Sequence, residues 1–216
     1  MQSNLITSWD DGSPYDLELA GLLDKYRIPG IFYVPINNPE REVMTKSQIR
    51  QLASRFEIGG HTLSHVDLTS ISPEEAKNEI LKGKNELEDI IGRKINKFCF
   101  PKGKYNNNIL EIVKEAGFKS ARTARIFYMG EIKESFLENP NLHVYNHEQF
   151  TYMGSCIKNT DLKSLVKAST LTQPDFLHVA RECYKPGFHI WGHSWEVKEM
   201  GLWKSLANFM EFVNSK

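Results

Sequence analysis

The 216-residue chain predicts an α/β fold built on a parallel sheet. Three observations carry that expectation. Short apolar runs alternate with segments whose apolar residues recur at helical spacing, the loops between them are short, and polar residues suited to chemistry follow directly after the apolar runs.

Leu5 to Trp9 is an apolar-rich run stopped by Asp10-Asp11-Gly12, a buried strand entering a loop. Pro14 can open a helix, and from Leu17 the residues Leu19, Ala20, Leu22, Leu23 and Tyr26 fall at helical spacing. Pro29-Gly30 ends that segment before a strand from Ile31 to Val34. A helix near Lys46 to Arg55, a strand at Glu57 to Gly60 and a long helix from Pro73 to Ile91 follow. Ser72-Pro73-Glu74-Glu75 starts the long helix with a capping hydroxyl, a proline at the first helical position and acids at the positive end of the helix dipole. Next come a strand at Lys97 to Phe100, a helix at Ile109 to Ala116 and a strand at Lys119 to Arg122. From Ile126 to Met153 the pattern is irregular, with one strand expected around Leu142 to Tyr145. Helices at Asp161 to Ser169 and Asp175 to Tyr184, a strand at Gly187 to Trp191 and a helix from Leu202 to Asn214 complete the chain. No repeat, low-complexity tract or linker divides it, so one domain over residues 1–216 with six to eight strand-helix units is expected.

Composition narrows the function classes. Lys+Arg and Asp+Glu each number 27, so the zero net charge removes the simplest argument for a nucleic acid or an anionic membrane as partner, although a local patch stays open. Cys99, Cys156 and Cys183 are widely spaced, without a CxxC pair, and read as reduced thiols. The start, MQSNLITSWDDG, lacks a leader pattern, and no apolar run reaches the ~18 residues that span a bilayer, so a cytoplasmic location without membrane insertion is expected.

In parallel α/β folds the ligand site lies at the carboxyl ends of the strands. Asp10-Asp11, Gly59-Gly60-His61-Thr62-Leu63-Ser64-His65, Pro101-Lys102-Gly103 and Gly192-His193-Ser194-Trp195-Glu196 all follow expected strands. His61 and His65 are four apart, which on a helical turn puts both rings on one face. Two imidazoles and a carboxylate leave a tetrahedral zinc one open position for water, a catalytic pattern. Taken singly, Asp-Asp-Gly is a common turn and an HxxxH pair is more often an exposed or hydrogen-bonded pair. Placement of all of them after separate strands is what a turn-and-surface reading does not predict.

These residues carry a family resemblance. The chain resembles the polysaccharide deacetylase family, also called the NodB-homology or carbohydrate esterase family 4 fold. SWDDG at Ser8 to Gly12 is similar to the family's TFDDG motif, and HTLSH at His61 to His65 matches H-[ST]-x-x-H. FCFPKGKYN at Phe98 to Asn106 is similar to the third motif and HIWGHSWE at His189 to Glu196 to the last, histidine-bearing one. The resemblance implies a distorted (β/α) barrel of about seven parallel strands. It implies one divalent metal held by Asp11, His61 and His65, with zinc preferred and cobalt or nickel as alternatives. Asp10 would be the general base, His193 the general acid that protonates the leaving amine, and the Lys102 backbone N–H a donor to the oxyanion. In many members the third motif reads RPPYG, and its Arg orients the catalytic Asp. Alignment on Pro101 and Gly103 puts Cys99 at that Arg, and Arg122 or Arg125 would have to substitute. The fourth motif is not identifiable in the irregular middle.

Two assignments rest on position. If Phe188 to His193 continues as a strand, His189 and His193 share a face, and the place nearer the carboxyl end favours His193 as the acid, with His189 in the core. Trp191, Trp195 and Trp203 are candidates for stacking on a sugar, although aromatics near a strand end more often serve packing. The expected function is removal of an acetyl group from an N-acetylated amino sugar or related glycan. A hydrolase of small linear or cyclic amides on the same barrel would keep every residue named. A non-catalytic carbohydrate-binding barrel is the third reading, and retention of Asp10, Asp11, both metal histidines and His193 argues against it.

Overall fold

The computed structural model describes residues 5–131 and 135–216. Seven strands, β1 (Leu5–Trp9), β2 (Gly30–Val34), β3 (Glu57–Gly60), β4 (Lys97–Cys99), β5 (Ser120–Arg122), β6 (Leu142–His143) and β7 (Phe188–Gly192), form one sheet in the order β5-β4-β3-β2-β1-β7-β6. Every adjacent pair is parallel. Parallel neighbours need crossovers, and the chain supplies helices α1 (Asp16–Tyr26), α2 (Lys46–Ala53), α3 (Pro73–Ile91), α4 (Asn107–Glu115), α5 (Gln149–Lys158), α6 (Leu162–Ser169) and α7 (Phe176–Cys183) between strands. After β7 come α8 (Ser194–Glu199) and α9 (Trp203–Asn214).

The sheet is buried on both faces, which is why its strands read as near-continuous apolar runs. Phe32, Phe98 and Phe188 are fully enclosed, and each contributes about 1.5–3 kcal/mol by burial. Helix starts follow the chemistry of their caps. Ser72 Oγ accepts from Glu75 N–H (3.3 Å) while Ser72 N–H donates to Glu75 Oε2 (2.9 Å), and Thr45 with Gln48 builds the same reciprocal box on α2.

The expected seven-stranded distorted barrel is what the chain forms, as a curled half-barrel with β5 and β6 at its edges. Irregular chain lies along both edges. Glu138 bridges Arg122 in parallel, with Thr123 N–H donating to Glu138 O (2.8 Å), and Phe127 pairs antiparallel with Leu142. Sequence reading missed α5 and α8, and β6 is shorter than the strand expected from Leu142 to Tyr145. Among the described residues no helix is long and apolar enough to cross a membrane.

Candidate active site

The carboxyl ends of the strands gather the polar residues. Asp10 and Asp11 leave β1, where left-handed backbone at Asp11 (φ 75°) and Gly12 (φ 61°) turns the chain sharply. His61 leaves β3, Lys102 follows β4, Arg122 ends β5, His143 ends β6 and His193 follows β7.

The His61 to His65 segment is not helical, which corrects the helical-turn rationale for the pair. Left-handed backbone at Thr62 (φ 71°) and His65 (φ 54°) curls a loop instead, and the ring centroids come within 5.0 Å. Helix α3 buttresses this loop. Leu63 N–H donates to Glu79 O (3.0 Å), and Ser64 donates to the Glu79 carboxylate from both N–H (2.9 Å) and Oγ (2.8 Å). A Cβ on Gly83 would stand 2.5 Å from Thr62 C and 2.6 Å from Leu63 N, so only glycine admits the approach.

Asp11, His61 and His65 offer ligand atoms within 4.8 Å of one another. Asp11 Oδ1 lies 3.1 Å from His65 Nε2 and 3.6 Å from His61 Nε2. His61 Nδ1 faces the Cys99 carbonyl at 2.8 Å. A carbonyl only accepts, so Nδ1 carries a proton and Nε2 is left to face Asp11. Burial alone would raise the Asp11 pKa, but hydrogen bonds from the His61 and His65 rings and the His193 charge hold it well below the ordinary carboxylate range. With the Nε2 protons gone, a buried carboxylate and two imidazoles converge on one point, a donor set that suits a divalent cation and fits zinc chemistry.

Of the two arginines expected as substitutes, Arg122 is the one that reaches Asp10. Cys99 and Arg122 are register partners on β4 and β5, and the fully buried guanidinium crosses the thiol to reach Asp10. Its Nη2 donates to both Asp10 carboxylate oxygens and lies 3.1 Å from Cys99 Sγ, while Nη1 donates to Thr123 O (2.7 Å). Burial opposes ionisation of Asp10, yet Arg122, with His61 and His193, holds its pKa below the usual value. Arg125 instead faces Asp161 at 3.7 Å.

His193 follows β7 directly and precedes α8, so the strand does not continue through it. Its Nδ1 donates to Glu196 Oε2 (2.6 Å), which leaves Nε2 toward the site, 3.9 Å from Asp11 Oδ2. Glu196 Oε2 also meets His143 Nε2 at 3.0 Å, and His143 Nδ1 meets His147 Nε2 at 2.9 Å. Burial raises the Glu196 carboxyl, but its two histidine partners draw it down to about 2. The two rings are pushed apart. Burial lowers both, and it wins at His143, whereas the Glu196 and Asp11 charges raise His193 above its ordinary value. His189 is enclosed, with Nε2 2.8 Å from Ser8 Oγ and Nδ1 2.9 Å from Glu138 Oε1.

Lys102 sits in left-handed backbone (φ 58°), and among the described residues no backbone carbonyl accepts its N–H. Its side chain donates to Glu40 Oε1 (2.6 Å), and Glu40 Oε2 lies 3.8 Å from His65 Nδ1. Trp195 Nε1–H donates to Asp11 Oδ2 (2.9 Å), and the Arg41 guanidinium covers its ring at 3.2 Å. Trp191 is packing. Its ring stacks on His143 (4.2 Å), lies under Arg122 and donates from Nε1 to Arg125 O (2.7 Å). Trp203 opens α9 and packs against the core.

Sequence reading placed Glu196 in a candidate segment without a role and missed His143, His147, Glu79, Gly83 and Asp16. Two signals were present: Glu196 stands three residues beyond His193 on a helical turn, and His143 and His147 repeat the HxxxH spacing. Asp16 gave none. Among the described residues its buried carboxyl meets only the Ser194 hydroxyl, and burial, with the Asp11 and Asp10 charges, pushes its pKa well above the usual value.

A profile described as polysaccharide deacetylase matches residues 2–121. The peptidoglycan-N-acetylglucosamine deacetylase of Bacillus cereus is 29% identical over 115 residues, 52% of this chain and 53% of that protein, so the match spans about half of the relative's length. The Xyl-CE4 domain of a multidomain xylanase from the hindgut metagenome of Trinervitermes trinervoides superposes with a TM-score of 0.64 at 15% identity, over 100% of this chain and 84% of that one. The chitin deacetylase of Colletotrichum lindemuthianum gives 0.64 at 13%, over 99% and 84%. A CE4 family pseudoenzyme from Bacillus anthracis gives 0.59 at 12%, over 98% and 60%. Identities this low speak for the fold alone.

Proposed function

Because the chain belongs to the polysaccharide deacetylase family, we propose that it is a metal-dependent hydrolase that removes the acetyl group from an N-acetylated amino sugar in a glycan. The convergence of Asp11 Oδ1 with the Nε2 atoms of His61 and His65, beside Asp10 and His193, carries this reading. The relative from Bacillus cereus bears a name that says it acts on peptidoglycan N-acetylglucosamine, which supports an acetylated amino sugar as the substrate class. Retention of all five residues favours turnover over a pseudoenzyme.

A divalent metal, zinc by preference, would be held by Asp11, His61 and His65, and when bound supplies Lewis acidity to the acyl carbonyl and acidity to nearby water. Asp10 takes the proton of the attacking water, and Arg122 keeps it ionised and oriented. The Lys102 N–H donates to the oxygen that gains charge as the acyl carbon becomes tetrahedral. His193 delivers its Nε2 proton to the departing nitrogen, held in that orientation by Glu196 at Nδ1. Water and amide become acetate and a free amine.

Acetate release tests this. N-acetylglucosamine oligomers and small N-acetyl amides are offered to chelator-treated protein before and after addition of zinc, cobalt or nickel. Metal-restored release from the oligomers is expected. Release from the amides alone transfers the reading to a small-amide hydrolase, and release indifferent to metal removes the metal.

A further inference from the structure

The outer face of the α5–α6 hairpin carries an apolar patch with a basic rim. Eight large hydrophobic side chains are exposed among the described residues, and four belong to this hairpin: Phe150 (80%), Ile157 (63%), Leu162 (72%) and Val166 (58%). Helix geometry puts them on one side. Phe150 and Ile157 are two turns apart on α5, Leu162 and Val166 one turn apart on α6, and they lie about 100–160° around their helices from the residues that face the core. Those inward residues are Tyr152 and Cys156 on α5 and Ser164 and Ala168 on α6, all buried.

Charge completes the patch. Lys158 ends α5 and Lys163 lies in the first turn of α6; both are exposed, and neither has an ion-pair partner among the described residues. The acid between them is turned away. Asp161 accepts from Ser164 N–H (3.0 Å) and Oγ (2.6 Å) and faces Arg125 at 3.7 Å. The net charge of zero for the whole chain conceals this local sign.

Charge favours a lipid surface over a second protein. Four side chains at these exposures present on the order of 400–500 Å², the scale of a functional surface patch, and the two unpaired lysines beside them match an anionic surface. At a bilayer surface a few apolar side chains flanked by lysines suffice for reversible interfacial binding. We propose that the α5–α6 hairpin docks this chain on an anionic lipid bilayer, with Phe150, Ile157, Leu162 and Val166 seated among the headgroups and Lys158 and Lys163 at the lipid phosphates. The contact is peripheral and independent of the catalytic reading.

Cosedimentation of the full chain with vesicles tests it. One set contains phosphatidylglycerol and phosphatidylcholine in equal parts, the other phosphatidylcholine alone. Binding is expected with the first set only and weakens as salt is raised. The double variant Lys158→Gln/Lys163→Gln lowers the partition coefficient roughly twentyfold, about fivefold per lysine. Phe150→Ser/Leu162→Ser lowers it at least as much, and both variants keep the parent melting temperature because the substituted side chains face solvent. Absence of binding to anionic vesicles, or undiminished binding by both variants, overturns the proposal. So does a dimer in sedimentation velocity that Phe150→Ser/Leu162→Ser dissociates, because a second copy would then be the occupant.

Discussion

Replacing Arg122 with methionine strips Asp10 of its buried counter-charge while keeping most of the volume. Asp10 is 3% exposed, and Cys99, its other neighbour on that side, is a thiol whose pKa burial and nearby acids push up, so it offers no positive charge. Breaking a buried pair by removing one partner costs about 3–5 kcal/mol, and in a chain of this length each kcal/mol moves the melting temperature by about 2–4 °C, so Arg122→Met should melt roughly 6–20 °C lower. Asp10→Asn in the same background should recover much of that loss, since a neutral amide needs no counter-charge. The deficit also depends on pH. In the parent the folded pKa of Asp10 lies below its unfolded value, so its contribution is full above about pH 4 and is lost as pH falls through the folded pKa. Without the guanidinium the largest influence lowering that pKa is gone and the folded pKa moves up. The deficit of Arg122→Met is therefore smallest in acid and grows toward neutrality. Urea and thermal unfolding of chelator-treated parent, single and double variants measure all of this. A loss that is the same in the Asp10→Asn background, within about 0.5 kcal/mol, would refute the coupling.

Other expected outcomes follow from the same site. Asp10→Asn should keep its metal and lose roughly 10²–10⁴-fold in turnover, whereas Asp11→Asn should lose both; metal analysis beside acetate release separates a base from a ligand. His193→Ala should damage amide hydrolysis more than hydrolysis of a matched activated ester, which expels a less basic oxygen, and equal losses in kcat/KM would remove the leaving-group role. Gly83→Ala gains about 1 kcal/mol of helix propensity but forces a methyl into the Thr62-Leu63 backbone at about 1–3 kcal/mol, so it should destabilise the chain and weaken metal binding. Gly154→Ala, with open space at its Cβ position, is the control and should stabilise. Asp16→Asn should raise the melting temperature of metal-free protein at neutral pH. Its folded pKa is raised, so the parent is penalised as pH rises through that value, and the advantage of the variant should vanish near pH 4.

What the sequence made legible follows the physics of each element. Leu5 to Trp9 and Glu57 to Gly60 were readable to the residue because nearly all of their residues are buried and turn residues or glycines end them. Helix α3 was readable from its proline and capping box. Helix α5 was not, since Phe150 and Ile157 face outward, Tyr152 and Cys156 face inward and Gly154 interrupts the middle, which leaves no single apolar stripe. The HTLSH spacing located the histidines, but a loop with two left-handed residues, not a helix, brings them together. Arg122 could be named only as one of two substitutes, because choosing it requires the register between β4 and β5.

That register has an evolutionary consequence. Positions 99 and 122 stand side by side at adjacent strand ends, so a guanidinium rooted at 122 reaches the carboxylate that one rooted at 99 would serve in the motif this chain resembles. The two sites behave as one locus with two addresses. Holding arginine at both would crowd two cations around one carboxylate, and holding it at neither would strand that carboxylate, so homologous chains should carry the arginine at one address with a small residue at the other. Substitutions at the two positions should then covary, and a motif search that inspects only position 99 would misfile such chains as inactive.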